Sequence, residues 1–154
     1  MDNQIRTECV TDCSIVVKWE LPSEPFEAEA MELFRDWQVG AVRVIVPTIL
    51  LAEIGSAFLR AARRGRLPFT NALQSVLNLI ALPFTLVDIA PLTERAFNIA
   101  HQYQQGFFDC LYVALAEARG AEFWTGDQRL FNALHNAFPF IHWIGDYKPK
   151  RQQP

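Results

Sequence analysis

Short, continuous apolar runs alternate along the chain with longer segments in which apolar residues recur every three or four positions. The short runs predict five β-strands, at residues 9–11, 43–46, 84–87, 121–125 and 141–144. The longer segments predict helices at 26–39, 49–64, 68–82, 91–104 and 127–136, with a further helix beginning within 15–19. This alternation predicts an α/β fold: a central, short-stranded parallel sheet of about five strands, flanked by helices on both faces.

The segment 107–130 shows the alternation most clearly, because it reads as helix, turn, strand, turn and helix. Asp109 precedes an apolar run at helical spacing that includes Leu111 and Leu115, so it is predicted to cap that helix, and Gly120 is predicted to end it. Asp127 stands at the start of the next helix. Both aspartates are ordinary helix caps on the simplest interpretation. The alternative is a shared site, since open parallel sheets gather functional groups at the carboxyl ends of their strands.

Length and composition predict one folded domain. The chain has 154 residues, of which 51% are hydrophobic and 20% are charged, enough to build a sizeable core. We expect a flexible lead-in at residues 1–7, the domain at 8–147 and a flexible basic tail at 148–154. The net charge of −3 gives no general sign of nucleic-acid binding, so such binding would require a local basic patch.

The cysteines, histidines and termini exclude several other classes. Three cysteines, an odd number without paired spacing, indicate a reducing compartment, and we expect a cytoplasmic protein. Cys13 and Cys110 are interpreted as small buried thiols rather than nucleophiles. The three histidines lack zinc-site spacing. The polar start predicts no signal peptide, and no apolar run reaches the ~18 residues of a membrane span.

Four acidic residues stand where the predicted sheet could bring them together. Asp12 and Asp127 follow strands directly, whereas Glu53 and Asp109 lie in the first turns of helices. Glu53 shares a helix face with apolar and small residues and has no Lys or Arg three or four positions away, so it faces water, takes up a proton or binds a cation. One pair of like charges 4 Å apart costs roughly 4 kcal/mol at an effective dielectric near 20. A divalent cation offsets this repulsion. Oxygen ligands favour Mg²⁺ or Mn²⁺, which suit phosphodiester hydrolysis.

Four stretches, at residues 11–14, 47–53, 108–116 and 125–130, together resemble the four acidic motifs of PIN domains, in particular those of the VapC-type toxins of toxin–antitoxin pairs. The resemblance runs from about residue 9 to residue 146. It implies a Mg²⁺- or Mn²⁺-dependent ribonuclease, with an RNA substrate, a cognate antitoxin protein as partner and a homodimeric state. Carried over residue by residue, it assigns catalysis and metal binding to Asp12, Glu53, Asp109 and Asp127, and a supporting role to the hydroxyls of Ser14 and Thr125. Cys13 and Cys110 depart from the usual alanine.

Basic and aromatic side chains form two further groups. The arginines at 60, 63, 64 and 66 lie at the far end of the Glu53 helix. They are either a solvated helix end, favoured by the helix dipole, or contacts to an RNA backbone, for which Arg60 and Arg63 are the expected residues. The aromatic residues between positions 19 and 37 exceed what a small core needs, so some of them could line a dimer or antitoxin groove: Trp19, Phe26, Phe34 and Trp37.

Two other classes of function compete with this interpretation. A PIN-type module could bind RNA or protein without catalysis. A receiver-like or dehalogenase-like phosphotransfer domain also places an aspartate after the first strand of a similar sheet. The dehalogenase-like site requires Asp-x-Asp, whereas this chain has Asp12-Cys13-Ser14, and no lysine lies between Lys18 and Lys148 to serve a receiver.

Overall fold

The computed structural model describes residues 6–153 and contains a five-stranded, wholly parallel sheet. The spatial order of the strands is β3-β2-β1-β4-β5. The prediction of a five-stranded parallel α/β fold with helices on both faces is confirmed. The strands are β1 (Thr7–Thr11), β2 (Val42–Pro47), β3 (Thr85–Val87), β4 (Glu122–Thr125) and β5 (Ile141–Trp143).

Across the described residues, seven helices cover the sheet, and their bounds agree with the predicted segments to within a few residues. Single 3₁₀ turns at Val17–Trp19, Ala90–Leu92 and Ile144–Asp146 extend the regular elements. Within residues 6–153, no helix is long and apolar enough to cross a membrane. The helices are α1 (Cys13–Val16), α2 (Glu27–Gln38), α3 (Ile49–Arg63), α4 (Phe69–Ile80), α5 (Thr93–Tyr103), α6 (Phe107–Arg119) and α7 (Gln128–Leu134).

The order of the strands creates a crevice beside the central strand. From β1 the chain steps outward to β2 and then to β3, and it later returns to lay β4 on the other side of β1. The connections leave β1 and β4 in opposite directions, so their carboxyl ends border a gap in which ligands bind in folds of this kind. Asp12 follows β1 and Asp127 closely follows β4. The topology therefore brings two of the four acids to this gap.

Helix α6 is the most deeply buried helix of the fold. All seven residues from Cys110 to Ala116 are buried, and the helix packs against β1, β2 and β4. A helix that is apolar on every side lies inside a core, so α6 holds its first turn in a defined position next to the sheet. It ends at Gly120, whose φ of +61° is the left-handed conformation expected of a helix-ending glycine.

The start of α6 corrects one prediction. Asp109 does not cap the helix: Gly106 occupies the N-cap position, and the Cys110 amide already donates to the Gly106 carbonyl at 3.1 Å. Asp109 is therefore the third helical residue. It is an acidic residue of the first turn, where the helix dipole favours negative charge. Asp127 does cap α7 as predicted, accepting a hydrogen bond from the Leu130 amide at 3.1 Å.

The structure describes contacts at both chain ends, for which the sequence predicts flexible segments. Strand β1 begins at Thr7, inside the expected lead-in, while residues 1–5 and Pro154 lie outside the described residues. At the other end, two residues of the basic tail contact the fully buried Asp36 of α2: the Lys150 amide donates to its carboxylate at 2.7 Å and the Arg151 guanidinium at 2.8 Å. The Tyr147 hydroxyl, just before the tail, donates to the same carboxylate at 2.6 Å. These contacts attach the first part of the tail to the domain in this structure.

Most of the aromatic residues between positions 19 and 37 are packing residues. Trp19, Phe34 and Trp37 form one cluster with Phe84, with ring centroids 4.9–6.3 Å apart, and the Trp19 indole donates to the Ala30 carbonyl at 2.9 Å. Phe26 differs, since it is 43% exposed.

Candidate functional site

Asp12 is held by two hydroxyl groups from both sides of the crevice. The Ser14 hydroxyl donates to one carboxylate oxygen, and the Thr125 hydroxyl donates to the other at 2.5 Å. Each hydroxyl in turn accepts a hydrogen bond from a backbone amide of the turn after β4. The Gly126 amide donates to the Ser14 hydroxyl at 2.8 Å, and the Asp127 amide donates to the Thr125 hydroxyl at 3.0 Å. The network ties the end of β1 to the end of β4 and fixes the orientation of the carboxylate.

Asp12 has a strongly perturbed pKa. Its side chain is almost inaccessible to water, with 5% exposure of the residue. Burial raises its pKa from 3.8 to about 7; the hydrogen bonds from Ser14 and Thr125 oppose this shift, and the charges of Asp109 and Glu53 add to it. The carboxylate is therefore costly to ionise in the protein alone, and a bound cation would relieve that cost.

Glu53 projects from the second turn of α3 and is paired with the buried Tyr112 of α6, whose hydroxyl donates to it at 2.6 Å. Burial raises the pKa of Glu53, and the charge of Asp109 adds to the shift, while Tyr112 and Arg60 favour the charged form. The alternative that Glu53 simply faces water does not describe this arrangement. Tyr112 was not singled out from the sequence, although it lies three positions after Asp109 and so on the same face of α6.

The pKa of Asp109 depends on its burial and on the charges around it. Burial raises its pKa, the charge of Asp127 raises it further, and Arg129 lowers it. Gly106 permits the position of this side chain, because a Cβ there would stand 3.1 Å from an Asp109 carboxylate oxygen. The charge of Asp109 therefore repels that of Glu53, and the charge of Asp127 repels that of Asp109. These like charges lie around one region of the crevice.

A cavity of about 650 Å³ opens beside these acids. One wall is a single stripe of α3 at helical spacing, and the remaining lining residues come from α1 and the 3₁₀ turn after it, from the first turn of α6 and from the α7 cap. Glu53 and Asp127 line the cavity, whereas Asp12 and Asp109 are not part of its lining. The α3 stripe consists of Ile49, Ala52, Glu53, Ser56, Ala57 and Arg60, and the other lining residues are Cys13, Ser14, Val17, Phe108 and Asp127.

The arginine group divides in two in the structure. Arg60 lines the acidic cavity, and together with Arg64 and Arg66 it also lines an adjoining cleft of about 170 Å³. Arg66 is paired there with Glu24 at 2.8 Å. Arg63 lines neither space. Of the two arginines expected to contact RNA, only Arg60 therefore has the location that such a role requires.

Two further residues near Asp12 were not identified from the sequence. Lys18, although charged, is buried, and its alkyl chain lies against Gly126, where a Cβ would meet Lys18 Cε at 3.0 Å and the Ser14 hydroxyl at 3.2 Å. Burial lowers the pKa of Lys18, while Glu24 and Asp12 oppose the shift. Gly126 is thus required by close packing. The periodicity of a sequence does not reveal a buried lysine, whereas a glycine directly after a predicted strand is a recognisable signal.

The donor set fits a hard divalent cation. The groups are carboxylates and hydroxyls, the oxygen ligands that Mg²⁺ and Mn²⁺ prefer. Burial raises the pKa values of Asp12, Glu53 and Asp109, and the charges of neighbouring acids add to each shift, so a cation would favour their ionised forms. In the part of the chain from residue 6 to residue 153, no three Asp, Glu, His or Cys side chains are close enough to form a ready metal cluster. The chemistry of the site therefore fits the cation, while the closely spaced ligand shell is not preformed.

Fold and site together define the class. Residues 9–135 match the family described as PIN domain, and the chain belongs to that family. Ribonuclease VapC9 of Mycobacterium tuberculosis is 33% identical over 92 residues, which cover 60% of this chain and 71% of that protein. The resemblance found in the sequence is confirmed, and the family is neither the receiver nor the dehalogenase-like class.

Solved structures share the fold at lower identity. The crystal structure of PAE2754 from Pyrobaculum aerophilum matches with a TM-score of 0.68 and 18% identity, covering 92% of this chain and 93% of that one. A toxin–antitoxin complex from Klebsiella pneumoniae matches with a TM-score of 0.60 and 17% identity, covering 88% and 97%. At these identities the likeness shows the architecture.

Proposed function

We propose that this protein is a Mg²⁺- or Mn²⁺-dependent ribonuclease that hydrolyses RNA phosphodiester bonds at Asp12, Glu53, Asp109 and Asp127. The observation that carries the proposal is a group of three carboxyls with raised pKa values, the buried Asp12 and the half-buried Glu53 and Asp109, beside one open cavity in a PIN domain. The ribonuclease named VapC9, with which the chain is 33% identical, supports the choice of RNA as substrate.

Three of the four acids have distinct positions in this proposal. Asp12, held by Ser14 and Thr125, is the most rigid ligand. Glu53, held by Tyr112, and Asp127, fixed as the α7 cap, face the cavity from opposite elements. When bound, the cation polarises the phosphate, supplies a hydroxide at neutral pH and stabilises the leaving oxygen.

The protein groups keep the site ionised and oriented. The hydroxyl donors on Asp12 and the Tyr112 donor on Glu53 favour the charged carboxylates that a cation requires. Arg60, at the cavity wall, is the group that contacts a substrate phosphate. The acidic cavity repels free RNA without the cation, so substrate binding and cation binding are linked.

The biological role proposed here is that of a toxin controlled by an antitoxin. This part rests on the relatives: the solved structures include a toxin–antitoxin complex from Klebsiella pneumoniae. A homodimer is part of the same proposal. Expression should arrest growth, and co-expression of the product of an adjacent small open reading frame should restore it. Lack of toxicity would remove the toxin role without touching the nuclease chemistry.

The decisive experiment compares Asp127→Asn with Asp88→Asn. Asparagine can still cap α7 but removes one charge from the cavity. Asp88 also follows a strand, β3, but is exposed and does not line the cavity, so its substitution is the matched control. We expect Asp127→Asn to lose RNA cleavage and most Mn²⁺ affinity measured by calorimetry, and Asp88→Asn to keep both.

Two results would contradict the proposal. If Asp127→Asn cleaves RNA at the wild-type rate in Mg²⁺ and Mn²⁺, the acids are not the site. If the wild-type protein binds RNA but neither binds Mn²⁺ nor cleaves, the chain is the non-catalytic PIN-type binding module.

A further inference from the structure

Phe108 is an exposed aromatic side chain at the edge of the acidic cavity. It is 53% exposed, although its neighbour Phe107 packs against the core. The two ring centroids are 6.2 Å apart with the planes inclined at 56°, so Phe107 supports one side of Phe108 and leaves the rest of the ring open. Phe108 also immediately precedes Asp109, and α6, in which residues 110–116 are buried, holds this turn in place.

With a cation bound at the acids, the surroundings of Phe108 suit a ligand that is both flat and anionic. The ring contributes to a cavity that also contains the apolar side chains of Ile49 and Ala52. The same cavity contains Glu53, Asp127 and Arg60. Its volume of about 650 Å³ falls within the range of small-ligand sites, roughly 300–1,000 Å³. A nucleotide presents an apolar base face and a charged phosphate within one such volume.

The adjoining basic cleft indicates that the ligand is a polymer of such units. Val17, Ala57 and Arg60 line both the acidic cavity and the cleft, so the two spaces adjoin along these residues. The cleft adds Arg64, and also Arg66, which is paired there with Glu24 at 2.8 Å. A strand that lies over Phe108 can therefore extend towards arginines that bind its next phosphates, which a neutral apolar peptide segment could not use.

We propose that Phe108 is a stacking platform for one base next to the phosphodiester that is cut, which requires that this base be unpaired. Proteins that bind single strands stack bases on aromatic rings, since every base has a π face. A base inside a duplex already stacks on its neighbours and cannot present that face. This inference rests on the proposed ribonuclease function, and it adds a residue that positions the substrate.

The test is a double comparison of protein and RNA variants. Binding is measured by fluorescence anisotropy in Mn²⁺ on an Asp12→Asn background, which prevents cutting. The protein variants are Phe108→Ala, Phe108→Leu and Phe108→Tyr, with Phe97→Leu as control, because Phe97 is 66% exposed on α5 and does not line the cavity. The RNA is a single-stranded oligonucleotide and a series in which each base in turn is removed.

The expected result is specific to stacking. Phe108→Ala should weaken binding by roughly 5- to 150-fold. Phe108→Leu should show most of that loss, because leucine retains apolar contact but has no π face. Phe108→Tyr and Phe97→Leu should bind as the parent does. Removal of the base at one position of the RNA should weaken binding to the parent protein as much as Phe108→Leu does. With that abasic RNA, the parent and the Phe108→Leu variant should bind equally, since the protein change and the RNA change remove the same contact.

Other results overturn the inference in distinguishable ways. Equal RNA affinity of Phe108→Leu and the parent means that Phe108 does not stack on a base. If these variants instead weaken capture of the antitoxin or shift the sedimentation coefficient of the protein, the ring is a protein contact. Tight binding of fully paired RNA with the same Phe108 dependence refutes the single-strand requirement. If the Asp12→Asn parent and the wild-type protein both fail to bind any RNA, the proposed function fails first.

Discussion

Replacing Asp12 by asparagine should stabilise the cation-free protein at neutral and higher pH, even though Asp12 is central to the site. The carboxyl is 5% exposed, and its pKa is raised from 3.8 to about 7, chiefly by burial. A group whose pKa is higher in the folded than in the unfolded state supports folding below pH 4. That support is lost as the pH rises through about 7.

The size of this change in stability follows from the difference between the two pKa values. A shift from 3.8 to about 7, at 1.36 kcal/mol per unit, corresponds to about 4 kcal/mol of stability lost between pH 4 and pH 8. Asparagine cannot ionise, but it replaces one of the two oxygens that accept from Ser14 and Thr125, which costs about 1 kcal/mol. Asp12→Asn should therefore be about 3 kcal/mol more stable than wild type at pH 8, and slightly less stable at pH 4.

Urea unfolding followed by tryptophan fluorescence, in a chelator at pH 4, 6 and 8, measures this reversal. Asp36→Asn is the control with the opposite sign. Burial alone would raise the pKa of Asp36, but hydrogen bonds from Lys150, Tyr147 and Arg151 hold it below its ordinary value. Asp36 therefore stabilises the fold above its unfolded pKa, and this variant should lose about 1–3 kcal/mol at pH 8. An Asp12→Asn protein no more stable than wild type at pH 8 would refute the reasoning.

Two other predictions use the same site. Tyr112→Phe removes the donor that favours ionised Glu53, so the acid limb of the pH–rate profile for RNA cleavage should move to higher pH; an unmoved limb would mean that Glu53 is not titrating in the reaction. Arg60→Ala should weaken RNA binding and flatten the slope of log affinity against log salt by roughly 0.7, whereas Arg63→Ala should leave the slope unchanged, and anisotropy across a salt series distinguishes them. Equal slopes in both variants would place the RNA elsewhere.

Local periodicity was enough to predict the elements of this fold. Alternating apolar runs and amphipathic segments indicated five strands and the helices between them, since each pattern reflects which side of one element is buried. The ends of the elements were harder to predict from the sequence. Asp109 had the residue type and position of a cap, but Gly106 is the N-cap of α6, because helical backbone hydrogen bonding already begins at its carbonyl.

The contacts that make the site needed the tertiary structure, because they join distant residues. Tyr112 reaches Glu53 across 59 positions and Thr125 reaches Asp12 across 113, distances over which a single sequence carries no periodic signal. The same holds for the tail, which looked like a flexible basic segment until Asp36, 115 positions from Arg151, was found buried beneath it. The sequence revealed which acids to consider. Their burial, their shared charge and the open ring of Phe108 beside them depend on how the sheet and α6 bring separate elements together.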